Sequence, residues 1–95
     1  MKQRVFILLA TSVSIALLAG CAATGAIESA RRSFEQARAA GAETKAPYEY
    51  YAAEAYLERA KGEVEEGDNA QAKVFAGESE AYAAQALSKA KGGAK

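Results

Sequence analysis

Four kinds of side chain in this sequence could carry chemistry or recognition: a single thiol at Cys21, five phenols at Tyr48, Tyr50, Tyr51, Tyr56 and Tyr82, a carboxylate cluster at Glu63, Glu65, Glu66 and Asp68, and the amine of Lys95. No histidine accompanies them, so the commonest proton shuttle and metal ligand is missing. The carboxylates and tyrosines show no pairing with a base or nucleophile that would define a catalytic site, and a non-enzymatic protein is expected. The carboxylate cluster crowds negative charge at a helix C-terminus, where the dipole disfavours it; a cation, a basic partner or plain solvation would each relieve that. It lacks the alternating Asp or Asn spacing of a calcium loop, and no metal site is expected. Among the phenols, Tyr50 and Tyr56 fall on the apolar arc of their helix and should pack in the core with hydroxyls at the rim. Tyr48 and Tyr51 are the candidate partner-binding residues, since tyrosine is enriched at interfaces; a partner helix or a glycan strand would suit such a surface.

What precedes Cys21 says most about the thiol. Lys2 and Arg4 make a positive start, Val5 to Ala19 is an apolar run softened by Thr11, Ser12 and Ser14, and a Leu18-Ala19-Gly20-Cys21 box closes it. These three parts read as an export signal. The run is too short and too rich in hydroxyls for a spanning helix, which needs about 20 mostly apolar residues. The box resembles the bacterial lipoprotein signal, with Leu at −3, small residues at −2 and −1 and the chain's one cysteine. That resemblance implies a diacylglyceryl group on the Cys21 thiol and cleavage before it, the covalent lipid being the only cofactor-like group expected. Each buried methylene contributes about 0.8 kcal/mol, so two or three acyl chains anchor a protein durably. In Gram-negative lipoproteins an Asp directly after the cysteine favours the inner membrane. Here Ala22, Ala23 and Thr24 follow, which implies the outer membrane, facing the periplasm.

Removing Met1 to Gly20 leaves 75 of the 95 residues, enough for one small domain. Two of the 12 basic residues, Lys2 and Arg4, go with the signal, so 10 basic face 12 acidic residues and the net charge becomes −2. That balance gives no electrostatic case for nucleic acid. Alanine dominates what remains, and its larger aliphatic or Phe side chains are only Ile27, Phe34, Leu57, Val64, Val74, Phe75 and Leu87. Each contributes roughly 1.5 to 3 kcal/mol when buried, against about 1.5 kcal/mol to order each residue. A core this thin calls for close alanine packing, burial of tyrosine rings, or association with another copy or a partner.

The elements that would hold these groups are helices. Cys21 to Gly25 reads as a small-residue tether. Ile27, Ala30, Phe34 and Ala37 then recur on one helical face, predicting a helix from about Ala26 to Ala40 with Glu28–Arg31, Glu28–Arg32 and Glu35–Arg38 pairs outside. Gly41 to Pro47 is read as a break, with Gly41 capping one helix and Pro47 opening the next. The second helix has a broad arc of Tyr50, Ala53, Leu57, Ala60 and Val64 flanked by Ala52 and Tyr56, which predicts a central position. Gly67 should end it, and Asp68 with Gln71 should start the third as a capping box. That third helix, Asn69 to about Lys91, shows a close-packing seam of Ala72, Ala76, Ser79, Ala83, Ala86 and Ala90. The expected fold is all-α, a three-helix antiparallel bundle or helical hairpin over residues 26–91, after a cleaved signal at 1–20 and a lipidated tether at 21–25, with a flexible tail at 92–95.

Ala46-Pro47, the Tyr-rich helix, Glu66-Gly67-Asp68-Asn69 and the alanine ladder together resemble the small bacterial lipoproteins built on the domain of unknown function numbered 4398. The resemblance covers nearly all of the chain after Gly20 and implies a helical fold with no assigned activity. The second and third helices are also similar to one tetratricopeptide-type hairpin, a single unit of which makes no solenoid. A third resemblance, to the murein lipoprotein of enteric bacteria, rests on the lipobox, the alanine-patterned helices and the terminal Lys95, and it implies attachment to peptidoglycan through that amine; the broken helices depart from its one long helix. The expectation is therefore an outer-membrane-anchored interaction or scaffold module whose partner is an envelope protein or a second copy. The alternative is a tether joining membrane and peptidoglycan through Lys95.

Overall fold

A computed structural model describes residues 2–92, with side chains from Gly20 onward. It contains α1 (Lys2–Ala39), the one-turn α2 (Ala42–Lys45), α3 (Pro47–Glu65) and α4 (Asn69–Ala90), and no strand among the described residues. The fold is all-α, as expected, with three long helices and one short extra turn.

The first helix is longer than its apolar face alone predicts. Cys21 to Gly25, expected as a tether, is helical and continuous with what precedes and follows it. Nothing in that stretch stops a helix: it holds no proline, alanine is the best helix former, and one Gly costs only about 1 kcal/mol. The Thr24 hydroxyl also bonds the Gly20 carbonyl one turn back at 2.9 Å, so its polar group is satisfied without leaving the helix.

The turns follow from particular backbone needs. Gly67 has φ 83° and carries a Schellman ending: its N–H reaches the Val64 carbonyl at 3.0 Å, and the Asp68 N–H reaches the Glu63 carbonyl at 2.8 Å. Asp68 then caps α4 by accepting the Gln71 backbone N–H at 3.0 Å. The capping box is thus half made, because the Asp68 N–H that a Gln71 side chain would accept is already spent on Glu63. Between α1 and α3 the chain does not simply break. Gly41, at φ 82°, accepts the N–H groups of Thr44 and Lys45 at 3.2 and 3.1 Å and so starts α2. Ala46 leaves the helical region at φ −143°, ψ 60°, as a residue before proline must, and Pro47 opens α3.

α1 and α3 run antiparallel, as do α3 and α4, so α1 and α4 run parallel. α4 packs extensively on both α1 and α3, which touch each other much less. The central helix is therefore α4, not α3 as the broad apolar arc suggested. The tyrosine rings widen that arc without needing two neighbours, whereas an alanine-faced helix lets two others approach closely. Ala72, Ala76, Ser79, Ala83 and Ala86 are all fully buried along α4, and Ala76, Ala83 and Ala86 share one buried cluster with Ala53 and Ala60 of α3 and Ala30 and Ala37 of α1. The large buried side chains of the described core are Phe34, Tyr50 and Leu57, with Phe34 stacked on Tyr50 at 4.9 Å. Ser79 donates to the Ala53 carbonyl at 2.7 Å, so the polar member of the seam costs no unsatisfied group.

Glu80 of α4 accepts from Ser29 at 2.9 Å and Ser33 at 3.4 Å on α1. At equal rise per residue in two parallel helices, this register sets the start of α4 level with about residue 20 of α1. Ala23 is the first fully buried residue among the described side chains of α1. By that register α4 starts level with the end of the Leu18-Ala19-Gly20-Cys21 box.

Candidate functional site

An aromatic ladder joins α3 to α4. Tyr82 of α4 sits at its middle, stacked on Tyr56 of α3 at 5.7 Å with planes 8° apart and met edge-on by Tyr48 at 6.2 Å. Phe75, two turns before Tyr82, lies 6.0 Å from Tyr56. The Arg59 guanidinium covers the end of the ladder, 4.3 Å over Phe75 and 5.8 Å from Tyr56, a cation–π contact. The rings are shared between two antiparallel helices because the Gly67-Asp68 turn places Tyr56 opposite the interval from Phe75 to Tyr82. One end stays open to water: Tyr48 is 72% exposed.

The two candidate recognition residues are both exposed, but the structure does not bring them together. Tyr48 belongs to the ladder. Tyr51, 51% exposed, packs edge-on against Tyr50 at 5.1 Å and donates to a Glu43 carboxylate oxygen at 3.1 Å, on the α2 side of α3. Tyr50 is buried, as expected, while Tyr56 is only half-buried. The sequence pattern joined neither Phe75 nor Tyr82 to Tyr48, and it gave Arg59 no role. Their signal was the spacing of seven and eight residues, Phe75–Tyr82 and Tyr48–Tyr56, which repeats one aromatic position on each of two adjacent helices.

Tyr82, Tyr51 and Tyr50 are each held toward the protonated phenol. The neighbouring Tyr48 hydroxyl is the main influence raising the pKa of Tyr82, the bond to Glu43 raises that of Tyr51, and burial raises that of Tyr50. None of these three is moved toward a phenolate nucleophile. Above the ladder, Lys89 of α4 reaches the buried Glu49 carboxylate of α3, and that bond lowers the Glu49 pKa. At the opposite end Glu63, Glu65, Glu66 and Asp68 surround the α3–α4 turn, and Asp68 is the one with a defined task, the cap. No group of three or more His, Cys, Asp or Glu among the described residues is arranged to hold a metal ion.

Cys21 is exposed on α1, and Gly20 before it is half-buried. The side chains of Leu18 and Ala19 lie outside the described residues, as does Lys95 altogether. No helix among the described residues is long and apolar enough to cross a membrane. The family described as "Domain of unknown function (DUF4398)" matches the chain over residues 25–94. Neither the curated proteins nor the solved structures gave a match.

Proposed function

The chain belongs to the DUF4398 family, and from that premise we propose that it is a lipoprotein of the outer membrane whose periplasmic helical body is a non-catalytic interaction or scaffold module of the cell envelope. The observation that carries this reading is the position of Cys21. The thiol is exposed, it closes the lipobox, and it stands level with the start of α4 in the register that Glu80 sets with Ser29 and Ser33. Acyl chains on Cys21 would leave the helical body intact beside the membrane. The exposed Tyr48 end of the ladder and the outward faces of the helices are then the surfaces left for partners.

The test is a mass measurement on the mature protein from native envelopes, with fractionation of the Cys21→Ala protein beside it. A diacylglyceryl-modified N-terminal Cys21, and loss of the variant from membranes, are the expected results. An unmodified Cys21, or unchanged membrane retention of the variant, would defeat the reading. Sorting is tested by Ala22→Asp, which should move the lipidated protein from the outer to the inner membrane.

A further inference from the structure

α4 has a second face that its own bundle leaves uncovered. Ala70, Val74, Gly77, Ala81, Ala84 and Ser88 are all exposed, Val74 by 55%, and they alternate spacings of four and three. That is the same rhythm as the buried seam from Ala72 to Ala90, displaced by two residues, so this helix already shows what such a face can pack against. No charged residue interrupts it. Gly77 sits mid-helix with nothing within 4 Å of where a Cβ would be. It weakens the helix relative to alanine and receives no packing reason from the single chain, while a second helix lying close would supply one.

We propose that this face pairs α4 with α4 of a second copy, in a parallel, in-register homodimer. Charge selects both the occupant and the direction. In heptad terms Val74, Ala81 and Ser88 take position a and Ala70, Gly77 and Ala84 take position d, which puts Lys73 at g and Glu78 at the next e. Parallel register sets g of one helix against e of the other five residues on, so Lys73 meets Glu78 of the second copy, twice by symmetry. Neither residue belongs to any of the four ion pairs among the described residues. Glu80, also at g, is already occupied by Ser29 and Ser33. Antiparallel pairing would turn like flanks together and lose both bridges. Parallel pairing also leaves both Cys21 residues at one end, so two anchored copies reach the same membrane. A single helix about 33 Å long offers less area than the roughly 1,200 Å² of a free-standing specific interface, so the pairing is weak in free solution and anchoring strengthens it by raising the local concentration. The inference names the partner of the module proposed above; it rests on that reading for the shared membrane, whereas the register rests on α4 alone.

The experiment is disulfide cross-linking of the full chain in native envelopes. Ala81→Cys, at a, should give an oxidised dimer, and Ala55→Cys, exposed on α3, should not; the parent chain reports any contribution from Cys21. Adding Lys73→Glu should lower the Ala81→Cys dimer about fivefold with helicity unchanged, and adding Lys73→Glu together with Glu78→Lys should restore it. No dimer from Ala81→Cys, equal dimer from both positions, or failure of the double reversal to recover would overturn the pairing. Fractionation separates the two ideas: a cross-linked dimer in the soluble fraction sinks the anchor and supports the pairing, and a membrane-bound protein that gives no dimer does the reverse.

Discussion

Ala83 and Ala84 are neighbours in sequence and belong to two faces of one helix with the same residue type and the same rhythm. Ala83 is fully buried, and Ala84 is exposed. Periodicity therefore says which faces of α4 can accept a close neighbour, and the connections between helices decide which one does within a single chain. The buried face receives α1 and α3 because two short turns deliver them there. The outer face waits for a neighbour that no turn supplies.

The strongest way to break that contrast is to remove what little bulk the inner side has. Leu57→Ala should cost roughly 2–5 kcal/mol in chemical denaturation, because Leu57 is one of three large buried side chains; a smaller loss would mean that the alanine seam holds the bundle by itself. Next, Ala83→Leu should cost about 1–3 kcal/mol by overpacking, and a neutral result would show that the seam is looser than its burial indicates. The Glu49–Lys89 bond gives a smaller, pH-dependent effect. Because the folded pKa of Glu49 lies below its ordinary value of 4.5, its contribution is present above about that pH and is lost as pH falls through the folded value. Thermal melts from pH 6 to pH 3 should therefore show an acid-induced loss that shrinks in Lys89→Gln. Smallest of all, Ala84→Leu should change the stability of the single bundle by no more than about 0.5 kcal/mol; a loss as large as that at Ala83 would erase the distinction between the faces.

Sequence alone made most of this architecture legible because its punctuation is local. Gly67 and Asp68 each fill a backbone role that few residues fill, and Ala46-Pro47 forces a departure from helix; both turns fall where they were expected. The continuation of α1 through Cys21 to Gly25 was not legible, since small residues without a stop signal suit a tether and a helix equally well. α2 was too short for periodicity to register. The order of packing was hidden because a tyrosine counts as apolar in a pattern whether its ring is covered, as at Tyr50, or half in water, as at Tyr56. The ladder was hidden for a related reason: which ring of α3 meets which ring of α4 depends on the register set by the turn, a three-dimensional quantity. The exposure of Tyr48 and Tyr51 could be read from helical phase, their separation into two surroundings could not.

The α3–α4 turn carries a consequence for how an anchored body would stand. Because α1 and α4 run parallel, Glu63, Glu65, Glu66 and Asp68 lie at the same end of the bundle as Cys21. A bilayer leaflet rich in anionic headgroups would repel that end, while the acyl chains on Cys21 hold it near. Opposed forces of this kind set a stand-off height and an angle of lean. Their range follows the Debye length of about 8 Å at physiological ionic strength, so the posture of the domain above the lipid would respond to salt even though nothing within the domain changes shape.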